Sequence, residues 1–368
     1  MPRTTDERIG PVSAWSLPRG VIVLLGSAAL IVTVAGLKSF ADILGPVMLA
    51  LMLTVAVHPL PDWLRRRGVP NSVAILAAVL AVYAVLAVLV VSLVISVAQL
   101  SQLLPTYSDE FDDLVTSLKD TLHDNGIGPE QVQDMLAGVD STKVFGFVED
   151  LLQGFLGVFS NLIFVVVLLL FMAADGISYT PRITLLRQSR PDIAVALTSF
   201  SAGTRSYLMV TTVFGLIVAS LDTLALWAMD IPLPVLWGLL AFITNYIPNI
   251  GFVLGVAPPA LLALLEGGPG LMLAVIAVYS VLNVVIQSVI QPKFVGDAVG
   301  LSVTLTFLSL VFWSWVLGPL GAILAVPLTL MAKAFLVDID PATRWADIFL
   351  SGSPPRAEPV AALEHQKE

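Results

Sequence analysis

The sequence contains no cysteine and little charge: only 12% of its 368 residues are Asp, Glu, Lys or Arg. Without cysteine there is no disulfide framework, no thiolate zinc site and no iron–sulfur ligation. The three histidines, His58, His123 and His365, stand far apart with no partner at metal-ligand spacing. No metal and no cofactor is therefore expected. The GxxxxGK[ST], HExxH and nucleophile-elbow patterns are also absent, so the chain does not read as an enzyme. Gly267-Gly-Pro-Gly270 lacks the Lys-Ser/Thr of a phosphate loop and reads as a turn. The shortage of charge excludes more still. At 57% hydrophobic residues, a water-soluble domain would expose large apolar patches and aggregate. In a bilayer the same composition is required, since outward side chains must be apolar and backbone groups must bond within helices. The fold class is an all-α polytopic membrane protein.

What charge there is lies unevenly. Residues 101–154 carry eleven acids, from Asp109 to Asp150, against Lys119 and Lys143 alone, which accounts for the whole net charge of −9. The acidity thus describes one extramembrane segment and argues against nucleic-acid binding. Basic residues cluster at Arg65–Arg67, at Arg182, Arg187, Arg190 and Arg205, and at Lys333 and Arg344. The positive-inside rule puts these loops and both termini in the cytoplasm and the acidic segment outside. The expected location is a prokaryotic cytoplasmic (inner) membrane.

Along the chain, 1–19 reads as a cytoplasmic N-terminus followed by an uncleaved first span. Three spans occupy 20–100, with a basic cytoplasmic loop at 61–72. Pro46 is placed in the first turn of the second span, where a missing N–H is harmless. In the third span Ser92, Ser96 and Gln99 share one face and should look inward. Residues 101–154 form an acidic helical hairpin, with a short helix near 130–137 and a cap at Asp140-Ser141. The fourth span is 155–174, and 175–205 is a basic cytoplasmic helical segment. Two units follow at 206–265 and 271–335, each an ordinary span joined to an overlong uncharged stretch. The tail, 338–368, is disordered in composition.

The overlong stretches 235–265 and 301–332 resemble each other. Gly251-Phe-Val-Leu-Gly255-Val-Ala-Pro258 matches Gly321-Ala-Ile-Leu-Ala325-Val-Pro327, and each follows a break, at Pro248 in the first and at Gly318-Pro319 in the second. A straight helix of such length is ~46 Å long against a hydrocarbon core of ~30 Å. Re-entrant hairpins would make an inverted repeat with six full spans, whereas full crossings would make a parallel repeat with eight. The central position of the breaks favours hairpins, with Pro248, Gly251, Gly255, Gly318, Pro319 and Gly321 as break or hinge residues.

Polar side chains within these units are the candidate site. Ser280, Asn283, Gln287 and Gln291 form one stripe of a span, and Asn245 and Asn249 straddle Pro248. Such amides can hold helices together at ~0.6 kcal/mol each. Taken together, Asn245, Asn249, Asn283, Gln287 and Gln291 suit a neutral, hydroxyl-rich solute. Asp222 is the one acid well inside a span and the candidate for ion coupling, its cost lowered by snorkelling or a water cavity.

The stretch Ile231-Pro-Leu-Pro-Val-Leu-Trp-Gly-Leu-Leu-Ala-Phe-Ile-Thr-Asn-Tyr-Ile-Pro-Asn-Ile-Gly251, with Ala257-Pro-Pro259 and Gly267-Gly-Pro269 after it, resembles the autoinducer-2 exporter family, or PerM-like permeases. Gln291-Pro-Lys-Phe-Val-Gly296, Val299-Gly-Leu301, Gly318-Pro-Leu-Gly321 and Ala325-Val-Pro327 are similar to the same family's C-terminal signature. The resemblance covers about residues 15 to 340. It implies a secondary transporter exporting a small polar metabolite such as autoinducer-2, or a sodium(lithium)/proton antiporter, and it implies a homo-oligomer, a pentamer. A non-transporting membrane scaffold is the third reading, one that has no use for broken helices with facing amides.

Overall fold

A computed structural model describes residues 18–124, 141–158, 162–176, 179–248, 250–291, 300–340 and 343–352. The described residues are helical, with one isolated bridge between Leu301 and Ser351 and no strand. The helices are α1 (Arg19–Ser39), α2 (Ala41–Val57), α3 (Pro59–Arg66), α4 (Asn71–Leu103), α5 (Ser108–Asp124), α6 (Ser141–Val158), α7 (Leu162–Asp175), α8 (Tyr179–Ser189) and α9 (Pro191–Ala228). They continue with α10 (Pro234–Thr244), α11 (Gly251–Asn283), α12 (Val303–Leu317), α13 (Pro319–Ile323), α14 (Ala325–Lys333) and α15 (Asp347–Leu350). Five helical stretches among the described residues are long and apolar enough to cross a membrane: Gly20–Ser39, Ala41–Arg66, Asn71–Asp124, Pro191–Ala228 and Gly251–Gln287. Their residues are turned outward more often than inward. Leu24 and Val32 on α1 are each 71% exposed, a surface that only lipid can cover. This is an all-α, multi-pass membrane protein.

Several expectations shift in detail. α2 begins at Ala41, directly after Phe40, so Pro46 sits beyond the first turn and the carbonyl four residues back, on Asp42, lacks its helical donor. On α4, Ser96 is buried and Ser92 half-buried, but Gln99 is exposed. The core-facing stripe runs through Leu93, Val97 and Leu100, and Gln99 falls at its edge. α9 is one helix of 38 residues across the boundary expected at 205/206, because nothing between Pro191 and Met229 breaks it. The short helix near 130–137, Asp140, Asn249 and Lys293 lie outside the described residues. So does part of the fourth span's start, residues 159–161.

The core runs continuously from the acidic hairpin into the bundle. Phe111 of α5 meets Phe145 of α6 edge to face at 5.7 Å, and both join Leu100, Trp237 and Leu265 in one buried cluster. The amphipathic faces of α5 and α6 have no other way to leave water.

Both overlong stretches double back. In the first, the chain turns over residues 245–250, and Gly251 comes so close to the Thr244 carbonyl that a Cβ would overlap it. A Cβ on Gly255 would lie 3.5 Å from the Ala241 Cα. Along a straight helix those residues would be ~21 Å apart. In the second, Gly318 breaks the helix at φ 66, ψ −147, a region essentially reserved for glycine. Pro319 then starts α13, and a Cβ on Gly321 would overlap the Trp313 carbonyl. The Trp313 Nε1 donates to Thr329 Oγ1 at 3.0 Å across the two arms. Thus Gly251 and Gly321, matched in the sequence repeat, each press against a carbonyl of the preceding arm.

The bases of the hairpins lie at opposite ends of α9. The first starts just beyond Ala228 and returns to Glu266, which accepts a hydrogen bond from the Tyr107 hydroxyl at the end of α4. Gly267 and Gly268 then leave helical geometry, the expected turn. The second has Leu330 packed 3.4 Å from the Cβ position of Gly203, near the other end of α9, and Lys333 paired with Asp338 and Asp347 at 2.9 Å. Its tip reaches the α1–α2 turn, where Lys38 lies 4.1 Å over the Trp315 ring. If Glu266 and Tyr107 share one membrane face, Thr106→Cys and Gly270→Cys will react with an impermeant maleimide from the same side. Labelling of the two from opposite sides would mean that 235–265 crosses completely.

Candidate functional site

The tip of the first hairpin is fastened to α9 by polar groups. Tyr207 donates from its hydroxyl to the Tyr246 carbonyl at 3.0 Å, and the Tyr246 hydroxyl lies 2.6 Å from Thr212 Oγ1. Asn245 Nδ2 donates to the Thr211 carbonyl at 3.0 Å. A helix carbonyl is open to a second donor here because residue 215 is glycine. A Cβ at Gly215 would stand 2.6 Å from Asn245 Nδ2. Measured along α9 from Ala228, Thr211 and Gly215 lie ~20–26 Å deep at 1.5 Å per residue, short of a ~30 Å hydrocarbon core.

Three of the five sequence-predicted amides come together at that tip. Gln287 Nε2 donates to Asn245 Oδ1 at 2.9 Å and to Asn283 Oδ1 at 2.6 Å, while Asn283 Nδ2 donates to the Tyr279 carbonyl at 3.0 Å. The chain from α9 through the hairpin tip to α11 is therefore one hydrogen-bonded relay, Thr211–Asn245–Gln287–Asn283. Gln291 is half-buried and makes no hydrogen bond to this group among the described residues. The reason is a π-helical stretch, Val284–Ile290, which follows α11 and widens the turn, so the spacing of four from Gln287 no longer keeps the stripe in register. Asn249 lies outside the described residues. Pro248 accepts at its carbonyl from Ile250 N at 2.7 Å, which closes the tip.

Beneath the amides lies a small cavity of ≈ 20 Å³, lined by Asp222, Thr244, Asn245, Tyr279, Asn283 and Gln287 among others. That is room for about one water. Asp222 is fully buried, and neither of its carboxylate oxygens, nor the buried Tyr279 hydroxyl, has a hydrogen-bond partner among the described residues. The expected relief by snorkelling does not occur, because Asp222 sits on the core-facing stripe of α9 with Thr211, Gly215 and Val218. A sealed charge requires a counter-charge or hydrogen bonds. Among the described residues no group of three or more His, Cys, Asp or Glu could hold a metal ion.

The geometry is that of a broken-helix membrane protein with a polar centre, and sequence comparison identifies the group. Residues 27–340 match the profile of the AI-2E family transporter. The chain belongs to this family. It is 32% identical over 338 residues to the "Putative transport protein YhhT" of Escherichia coli (strain K12), covering 91% of this chain and 96% of that protein. It is 30% identical over 317 residues to the "AI-2 transport protein TqsA" of the same organism, covering 86% and 91%. A protein of Haemophilus influenzae is 30% identical over 321 residues, covering 85% of this chain. AI-2E membership makes the chain a transporter with bacterial relatives, a multi-pass protein of the inner membrane.

Sequence reasoning did not find Thr211, Gly215, Tyr246 or Tyr279. A glycine on a span's polar-facing stripe, seven residues before Asp222, is the signal that was there to read. In Asn245→Leu the Gln287 donor and the Thr211 carbonyl each lose a partner. Gln287 keeps Asn283 and the Thr211 carbonyl keeps its place in α9, so the loss is that of the hydrogen bonds alone, ~0.5–1.5 kcal/mol each. A lowered unfolding temperature in detergent is expected for Asn245→Leu, and none for Gln291→Leu.

Proposed function

We propose that this AI-2E family transporter exports a small, neutral, hydroxyl-rich solute such as autoinducer-2, with the amide relay as its recognition and gating element. The observation that carries the reading is the relay itself, Asn245, Gln287 and Asn283 joined by uncharged donors and acceptors. A solute hydroxyl both donates and accepts, so it can replace the Gln287–Asn245 bond without leaving either amide unpaired. Asn249, four residues after Asn245, and Gln291, four after Gln287, are further candidate contacts for the solute. The name of the relative TqsA, an AI-2 transport protein, agrees with this substrate class.

In this reading the two hairpins re-enter from opposite faces as inverted repeats, with both termini cytoplasmic. Pro248, Gly251, Gly255, Gly318, Pro319 and Gly321 are the points about which their arms move. Broken helices at the membrane centre are the usual seat of substrate sites in transporters built this way. Close glycine contacts support it, since arms in backbone contact can slide without repacking large side chains.

A second reading, cation/proton antiport, is favoured by one observation: the sealed, unpartnered Asp222 beside Tyr279. Transport in proteoliposomes separates the two. With autoinducer-2 as solute, Asn245→Ala, Asn283→Ala and Gln287→Ala each lower flux roughly ten-fold, as loss of one partner in a buried polar site does. Asp222→Asn keeps that flux, because it removes a charge from the membrane interior. Sodium flux driven by a proton gradient and lost in Asp222→Asn would put antiport first. Unchanged autoinducer-2 flux in all three amide variants would reduce the relay to packing.

A further inference from the structure

A larger cavity lies at the arginine-rich end of the bundle, well away from the amide relay. It measures ≈ 430 Å³ and opens between the C-terminal turns of α2 and α7, the helix α8 and the first half of α9. That volume falls in the ≈ 300–1,000 Å³ range of small-molecule sites. Its inner walls are apolar, formed by Leu51, Val55 and Met172, and two guanidinium groups, Arg182 and Arg205, stand in its lining. Topology alone asks only that arginines lie on the cytoplasmic side. It does not ask that two, from different helices, share one concave site.

The cavity is not the vestibule of the amide relay. On α9 it is lined by Thr198, Ala202 and Arg205, whereas the relay and Asp222 use Thr211, Gly215 and Asp222. At about 100° per residue the two sets point about 120° apart around the helix. The surroundings of the cavity are those of a membrane surface. Phe171, beside Met172, and Leu185, one turn from Arg182, are each 66% exposed, apolar area that lipid covers and water would not. α8 itself carries Arg182 and Arg187 beside Leu185.

We propose that this cavity binds an anionic glycerophospholipid of the cytoplasmic leaflet. The phosphate sits between Arg182 and Arg205, and an acyl chain runs along Leu51, Val55 and Met172. Arginine suits phosphate because its planar fork donates two parallel hydrogen bonds, and basic pockets between helices on the cytoplasmic side are known to take lipid headgroups. Asp175 also lines the site. It accepts from the headgroup's hydroxyls, which favours a glycerol headgroup over a bare phosphate. His58 lies 3.5 Å from Asp62 through Nδ1 and is left out of the phosphate site.

The test is lipid titration of the full-length protein in detergent, read by thermal unfolding. Phosphatidylglycerol raises the unfolding temperature, while phosphatidylcholine and free glycerol phosphate do not. Arg182→Gln with Arg205→Gln weakens phosphatidylglycerol about 30-fold, the factor that ~1 kcal/mol per arginine near an anionic lipid corresponds to. Both arginines are exposed, so the variant folds. Ala202→Trp, which fills the cavity with no change of charge, loses the same stabilisation. Equal stabilisation of wild type and both variants by phosphatidylglycerol overturns the proposal, as does equal stabilisation by phosphatidylcholine. Full stabilisation by free glycerol phosphate would assign the cavity to a soluble phosphorylated ligand instead.

Discussion

Backbone N–H and C=O groups in hydrocarbon have no water to bond to, and each one left unpaired costs several kcal/mol. Straight helices meet that demand without help, so a break within the membrane must be satisfied by something else. The two breaks here solve the problem in different ways. At the first, turn bonds such as Ile247 N to the Thr244 carbonyl and Gly251 N to the Ile247 carbonyl do most of it, and a side chain adds to them, the Tyr207 hydroxyl bonding the Tyr246 carbonyl. At the second, the backbone mostly does it through short new helices, since α13 and α14 restart within one residue of each interruption. Tyr207 at the first tip therefore serves the fold itself, beside the amides of the candidate site, which satisfy one another.

Much of this architecture was legible in the sequence because lipid imposes a simple rule on composition. Uncharged runs mark the long apolar helices, and length against bilayer thickness marks 235–265 and 301–332 as unable to run straight. The glycines of the repeat were legible as break points. What they do was not, because Gly251 and Gly321 are explained by a carbonyl that approaches only after the chain has folded back. The same limit applies to Gln291. Its place in the stripe assumed a regular α-helix, and the π-helical stretch at Val284–Ile290 depends on packing that no local pattern records. Gly215 and Tyr279 escaped notice for a related reason: the groups they meet, Asn245 and Asp222, are far away in sequence.

The amides and Asp222 are chemically unlike and sit side by side. Asn245, Gln287 and Asn283 satisfy one another, which makes them stable as they stand and easy to exchange for hydroxyls. Asp222 has no hydrogen-bond partner among the described residues. A residue serving only as helix glue would be selected for partners, and partners are within reach: Asn245 and Asn283 line the same cavity but turn to Gln287 and the backbone. A carboxyl without a donor among the described residues thus lies against a set of amides that satisfy one another.

α9 links these features because both hairpins rest on it. Gly215 seats the tip of the first, and Gly203 seats the second arm of the other through Leu330. The two seats are twelve residues apart, ~18 Å along the axis, on a helix with no interior proline. A glycine seat allows close approach of each arm to the α9 backbone. Both hairpins thus take their place from two glycines on one helix with no breaker between them, and this helix sets how far apart they stand.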